Sequence, residues 1–193
     1  MMHRSGRLVL LIAFWFLLPL PGSGEVTEPT LEYTLNFIGN ILHSRRNVSW
    51  TEELPNFFGA SFSVTNSVSE VKTDATGCLV SWKSVFTSSN DKVVETYSLR
   101  LAMISGVRVQ SLSEYEQAKS VQTVTVSPET YIVLIRTDDS QARHREFYHK
   151  NKLKSETTKP PDAHEVRILL ADEQTANRIS DAIRRASQLC AAK

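Results

Sequence analysis

The sequence predicts an α+β fold: an antiparallel sheet of roughly six or seven strands, rolled into a partly open barrel, with an amphipathic helix at each end of the mature chain. Three observations predict it. Near both ends the apolar residues recur every three or four positions, the period of a helix, and between them they alternate, the period of a strand. The alternating segments are joined by short turns rich in Gly, Ser, Asn and Asp, which suits antiparallel neighbours. A sheet with one apolar face must bury it, and the two amphipathic helices are the covers at hand.

The chain opens on Arg4 and Arg7, continues with an apolar run over 8–20 broken only by Pro19, and then reads Pro21, Gly22, Ser23, Gly24. A basic start, an apolar stretch and small residues are the layout of a secretory signal peptide, here 1–24, with cleavage expected after Gly24. The run holds 11 apolar residues before Pro19, short of the roughly 20 that a membrane-spanning helix needs. An uncleaved N-terminal anchor is the alternative. The expected destination is periplasmic or extracellular, with 25–193 as a single domain and no integral membrane span after cleavage. A mature chain of about 170 residues buries roughly 70% of its unfolded surface, enough for a core without metals. With 22 basic and 21 acidic residues, whole-protein electrostatics favours neither nucleic acid nor acidic polymers.

Within the mature chain, Leu31, Leu35, Ile38 and Leu42, flanked by Phe37 and Ile41, make a helical stripe over 30–44. Thr30 is the expected N-cap, and Arg45 and Arg46 suit the C-terminal end. After Pro55, Phe58, Ala60, Phe62 and Val64 share one side of a strand that continues through Val68 and Val71. Asp74-Ala75-Thr76-Gly77 turns the chain into a strand with Cys78, Val80, Trp82, Ser84 and Phe86 on one face. Ser88-Ser89-Asn90-Asp91 turns it again, and Val93, Tyr97, Leu99, Leu101 and Met103 line the partner strand of this hairpin. Past Ser105 and Gly106 a strand is expected over 107–112 and a polar segment over 113–119. A second hairpin then joins 121–126 to 131–137 around Ser127, Pro128 and Glu129. A long polar loop is expected over 138–163, a last strand over 164–171, and a helix from Asp172 as cap to Leu189. Ala176, Ile179, Ala182, Ile183, Ala186 and Leu189 form its apolar stripe.

The closing segment resembles the end of pleckstrin-homology-like domains. The resemblance rests on Val166-Arg167-Ile168-Leu169-Leu170, then Asp172-Glu173, then Ala182-Ile183-Arg184-Arg185-Ala186. The Pro29-Thr30-Leu31 opening, the strand around Trp82 and the terminal Leu189-Cys190 are similar to poorly characterised exported bacterial proteins. The resemblance implies a meander of strands closed by one helix. It does not carry phosphoinositide binding: between the first two expected strands the charges are mixed, Glu70, Lys72 and Asp74, and export removes the chain from cytosolic lipids. Fold by itself does not give function.

Cys78 and Cys190 are the two cysteines. In an oxidising compartment they are a candidate disulfide; two buried free thiols are the other reading. No metal or cofactor is expected: His43, His144, His149 and His164 lack ligand spacing, and there is no Cys-x-x-Cys or His-Glu-x-x-His element. No catalytic residue is assigned either, for there is no Gly-x-Ser-x-Gly elbow. The acid pairs Asp138-Asp139 and Glu52-Glu53 are adjacent in sequence, which on a strand points them apart. Asn47-Val48-Ser49 is a glycosylation sequon, and Trp50, Phe57 and Phe58 are read as anchoring aromatics.

The unusual segment is the basic stretch Arg143, Arg145, Phe147, Tyr148, Lys150, Lys152 and Lys154, set against Glu146 alone. Clustered cations with aromatics between them suit an anionic glycan, an acidic protein or an envelope surface. The expected function is therefore an exported, non-catalytic binding or scaffold module using this stretch. The alternative is a small secreted hydrolase with catalytic residues dispersed along the chain. Export of the full chain should give a mature N-terminus within a few residues of Glu25, read by N-terminal sequencing. A product retaining Arg4 and Arg7 would instead establish the anchor.

Overall fold

The computed structural model describes residues 29–45, 47–54, 60–119, 124–138, 143–158 and 164–192. The signal peptide expected at 1–24 lies outside them, as do Phe57, Phe58 and Val121. The fold is α+β: three helices, a seven-stranded antiparallel sheet and a three-stranded one, with no closed barrel.

Helix α1, Leu31–Ser44, starts where Thr30 caps it by accepting the Tyr33 N–H at 3.3 Å. Its stripe buries Leu35, Ile38 and Leu42 as the spacing predicts. The chain then forms β1, Val48–Leu54, a strand that the alternation of Val48 and Trp50 with polar residues hints at but the sequence reading did not assign. β1 pairs along its length with β2, Ala60–Asp74, from Val48 opposite Asn66 to Leu54 opposite Ala60. The connection between the first two strands is therefore 55–59, not the segment with Glu70, Lys72 and Asp74.

The turn expected at Asp74–Gly77 and the hairpin expected around Ser88–Asp91 both form. Asp74 accepts the N–H groups of Thr76 and Gly77 and turns β2 into β3, Leu79–Ser88. A two-residue turn at Ser89 and Asn90 leads to β4, Asp91–Arg100. Val80, Trp82 and Ser84 of β3 point inward beside Leu99, Tyr97 and Glu95 of β4. The Trp82 and Tyr97 rings stack with centroids 5.0 Å apart.

The second sheet, β10-β7-β5, covers this inner face. β5, Ile104–Ser111, follows a 3-10 turn at Leu101–Met103. The polar segment expected over 113–119 is helix α2, Leu112–Lys119, which buries Leu112 and Tyr115. The hairpin expected between 121–126 and 131–137 does not form. β6, Thr125–Ser127, joins the large sheet on β1, whereas β7, Tyr131–Thr137, lies between β5 and β10, Glu165–Leu170. Burial explains the split. β7 carries four consecutive buried residues, Ile132 to Ile135, the signature of a central strand, while β6 is short and half exposed, as suits an edge.

The long polar loop is also corrected: 138–163 contains two strands, β8, Arg143–His149, and β9, Lys152–Thr157, which extend the large sheet beyond β4. Their apolar content is too low for a period-two signal, because β9 is exposed throughout.

Helix α3, Glu173–Ala191, closes the structure. Asp172 accepts the Thr175 N–H at 2.7 Å, and Ala176, Ile179, Ile183 and Ala186 enter the core shared with α1 and both sheets. A fully buried isoleucine of this kind contributes about 1.5–3 kcal/mol. Cys190, at the end of α3, stands at disulfide distance from Cys78, with Cα atoms 5.9 Å apart, and so fastens the helix to the turn between β2 and β3. The guanidinium of Arg45 makes a comparable tie, donating to the Leu169 carbonyl and to Asn66 Oδ1, so that the end of α1 joins both sheets. Burial lowers its pKa to about 10.

Changing Cys78 and Cys190 together to Ser should lower unfolding free energy by about 2–5 kcal/mol in denaturant melts of the oxidised protein. Free thiols at both positions in the native protein would show that the bond does not form.

Candidate functional site

Two regions concentrate chemistry, and the large sheet links them. The first is the β8–β9 hairpin. Its turn residues Lys150 and Asn151 both have positive φ, 48° and 61°, the conformation that a tight hairpin with right-twisted strands requires. Asn tolerates it well. The Lys150 N–H donates to the Asn90 carbonyl at 2.7 Å, and His149 Nδ1 lies 2.7 Å from Asp91 Oδ1, which seats the tip against the β3–β4 turn. Cys78 marks the opposite end of β3, so the tip lies away from the disulfide and α3.

Pairing with β4 sorts the predicted residues by face. Arg143 and Arg145 stand opposite Tyr97 and Glu95, and Phe147 opposite Val93. Tyr148 takes the outer face with Glu146 and donates to its carboxylate at 2.9 Å. That bond, with His144 at 3.3 Å, holds the Glu146 carboxyl below its ordinary range and raises the Tyr148 hydroxyl. Lys92 Nζ lies 5.0 Å from the Tyr148 ring centroid. Lys150, Lys152 and Lys154 are exposed around the tip. The seven residues thus do not converge: Arg145 turns inward and the three lysines outward.

The second region is where Arg145 arrives, a cavity of about 190 Å³ between the two sheets and under α2. Glu95 lies at its wall with 1% of its surface exposed. An unpaired carboxylate there would be costly. Instead Tyr97 donates its hydroxyl to it, Arg145 Nε lies 3.4 Å away, and an Arg167 terminal nitrogen 3.7 Å away. Across the cavity the Tyr115 hydroxyl donates to Glu165 at 2.8 Å and accepts from Lys119. Burial raises the Tyr115 hydroxyl despite the opposing Arg167 charge. The Trp50 indole donates to Glu52 at 2.8 Å. Glu116 of α2 has its pKa raised, first by burial and then by the Glu52 carboxylate, with Arg167 and Lys119 opposing. Neither Glu52 nor Glu116 has an ion-pair partner among the described residues.

Such an arrangement can split protonation between two carboxylates or hold a cation between them. The sequence reading missed Glu52, Glu95, Glu116 and Arg167. One signal was legible: Glu95 occupies an inward position between Val93 and Tyr97, where alternation calls for an apolar residue. Among the described residues no group of three or more His, Cys, Asp and Glu could hold a metal ion, and no helix is long and apolar enough to cross a membrane. Trp50 is buried, as expected of an anchor, but it also lines the cavity. No family model, curated protein or solved structure matches the chain.

Glu95→Ala leaves Arg167 facing an empty site and should cost about 3 kcal/mol in equilibrium unfolding. Glu116 gives a pH signature. Its folded pKa lies above its ordinary 4.5, so the native state holds the proton longer and stability falls as pH rises through that window. Glu116→Gln should therefore melt higher than wild type at pH 7 and no higher below pH 4, as read by thermal unfolding across pH.

Proposed function

We propose that the chain is an exported, non-catalytic binding module that presents its basic hairpin to an anionic partner, an acidic glycan or acidic envelope surface. The observation that carries this reading is the hairpin tip. Lys150, Lys152 and Lys154 are gathered, with Lys92 nearby, on paired strands rather than on a loose loop. A single exposed ion pair is worth little, but several preorganised cations speed encounter and give a salt-dependent affinity. Pairing to β4 also reduces the ordering cost that a loop would meet on binding.

We read the architecture as a pleckstrin-homology-like roll. β1 to β4 form one meander, β5, β7 and β10 the other, and α3 closes the end away from the hairpin, with α2–β6 and β8–β9 as insertions. The signal-like N-terminus and the paired cysteines fit an oxidising destination. The hydrolase reading is favoured by one observation, the two carboxylates Glu52 and Glu116 on one cavity, with the Glu116 pKa raised by burial and then by Glu52.

Retention of the mature protein on immobilised heparin, used as a model polyanion, should fall steeply with salt. The variant Lys150→Glu/Lys152→Glu/Lys154→Glu should bind about tenfold or more weakly at roughly 0.15 M salt. Equal retention of the variant would overturn the hairpin reading. Turnover in a glycoside and ester substrate screen, lost in Glu116→Gln, would favour the hydrolase.

A further inference from the structure

We infer that the cavity between the sheets is a binding site for a small organic cation, an ammonium group carried on an apolar or aromatic body. The argument begins with charge. Three carboxylates line the cavity, Glu52, Glu95 and Glu116, against two guanidiniums, Arg145 and Arg167. Both guanidiniums already face Glu95, and Lys119 is engaged by Tyr115 and Glu165. Among the described residues Glu52 meets the Trp50 indole N–H and Glu116 meets no hydrogen-bond donor, so the complement that the pair calls for is positive. An anionic ligand would have to displace Glu95 from its arginines, which a buried carboxylate resists.

The walls decide what sort of cation fits. Trp50, Phe86, Leu112 and Ile132 line the same cavity as the carboxylates, and the volume admits a body of a single ring or short alkyl chain. A hard divalent ion wants six or more oxygen ligands, which these walls do not offer. An ammonium on an apolar body uses both surfaces at once: the body removes apolar area from water while the charge meets the carboxylates and an aromatic face. Burial and the Glu52 carboxylate raise the Glu116 pKa, and a bound cation would answer that same charge. The groups facing Glu116 are Glu52 from β1, Arg167 from β10 and Tyr115 and Lys119 from its own helix, with Glu95 and Arg145 across the cavity.

The test uses three probes with one body: benzylammonium, benzyl alcohol and benzoate, titrated into the mature protein with calorimetry and the Trp50 indole N–H resonance as readouts. At pH 7.5 benzylammonium should bind about tenfold or more tightly than benzyl alcohol, a difference of roughly 1.4 kcal/mol, and benzoate not at all. Its affinity should fall as pH drops toward the ordinary carboxyl range. Glu116→Gln, which should fold at least as stably as wild type, should weaken benzylammonium about tenfold and flatten its pH dependence. Equal binding of benzyl alcohol, binding of benzoate, or an unchanged Glu116→Gln variant would each overturn the assignment. The triple lysine variant of the hairpin should bind benzylammonium as wild type does, so failure of the polyanion reading leaves this one standing.

Discussion

A carboxylate buried in the middle of a sheet must be answered by cations, and the arrangement around Glu95 is that answer. Glu95 occupies an inward position of β4, with Tyr97 donating to it from two residues along the same strand. Among the described residues two guanidiniums face it, Arg145 from β8 and Arg167 from β10 of the other sheet. One acid therefore ties the inserted hairpin to the large sheet and the large sheet to the small one. Exchanging the acid and its arginines together for well-packed apolar residues is the change that buried ion pairs often permit, whereas removing the acid alone strips the arginines of their carboxylate. What the acid supplies is register: β8 can slip by no residue against β4 without turning Arg145 away from Glu95.

The two ends of the molecule are built differently. At one end α1, α3 and the turn after β2 pack into a continuous apolar core, reinforced by Cys78 and Cys190. At the other, the smaller cluster around Trp50, Leu112 and Tyr115 leaves room between the sheets and lines it with charge. Buried carboxylates cost stability, and this fold gathers them beside the smaller cluster rather than in the apolar core that α3 closes. Arg45 lies on the boundary, bonded to both sheets, and its burial is tolerated because two of its nitrogens meet fixed oxygens.

What was legible in the sequence follows from how much apolar surface each element buries. α1, α3 and the β3–β4 hairpin carry long periodic stripes and clear caps or turns, so residue spacing alone finds them. β8 is held by backbone pairing to β4, β9 by pairing to β8, and both by ion pairs, none of which leaves a period in the sequence. α2 is short and mostly polar, and only Leu112 and Tyr115 of it are buried. The cavity was illegible for a different reason: Glu52, Glu95, Glu116 and Arg167 come from four separate elements, and only the sheet topology brings them together. The adjacent Glu52 and Glu53 looked unpromising as a pair because neighbours on a strand point apart, yet that same alternation is what turns Glu52 alone into the cavity.

Alternation also resolves an ambiguity in the basic stretch. Read as a loop, its five cations form one patch of uniform purpose. Read as a hairpin, they divide by side-chain direction. Arg145 is committed to Glu95, and removing it weakens the sheet rather than a surface. Lys150, Lys152 and Lys154 lie at the tip and on the outermost strand, where substitution leaves the core untouched. The lysines have a structural effect as well, since charged residues on an edge strand deter further strand pairing. A deterrent of that kind depends on sign and exposure alone and responds equally to any charged replacement, whereas recognition of a polyanion requires positive charge. Reversing the lysines to glutamate keeps the deterrent and removes the recognition, so the two roles separate in one variant.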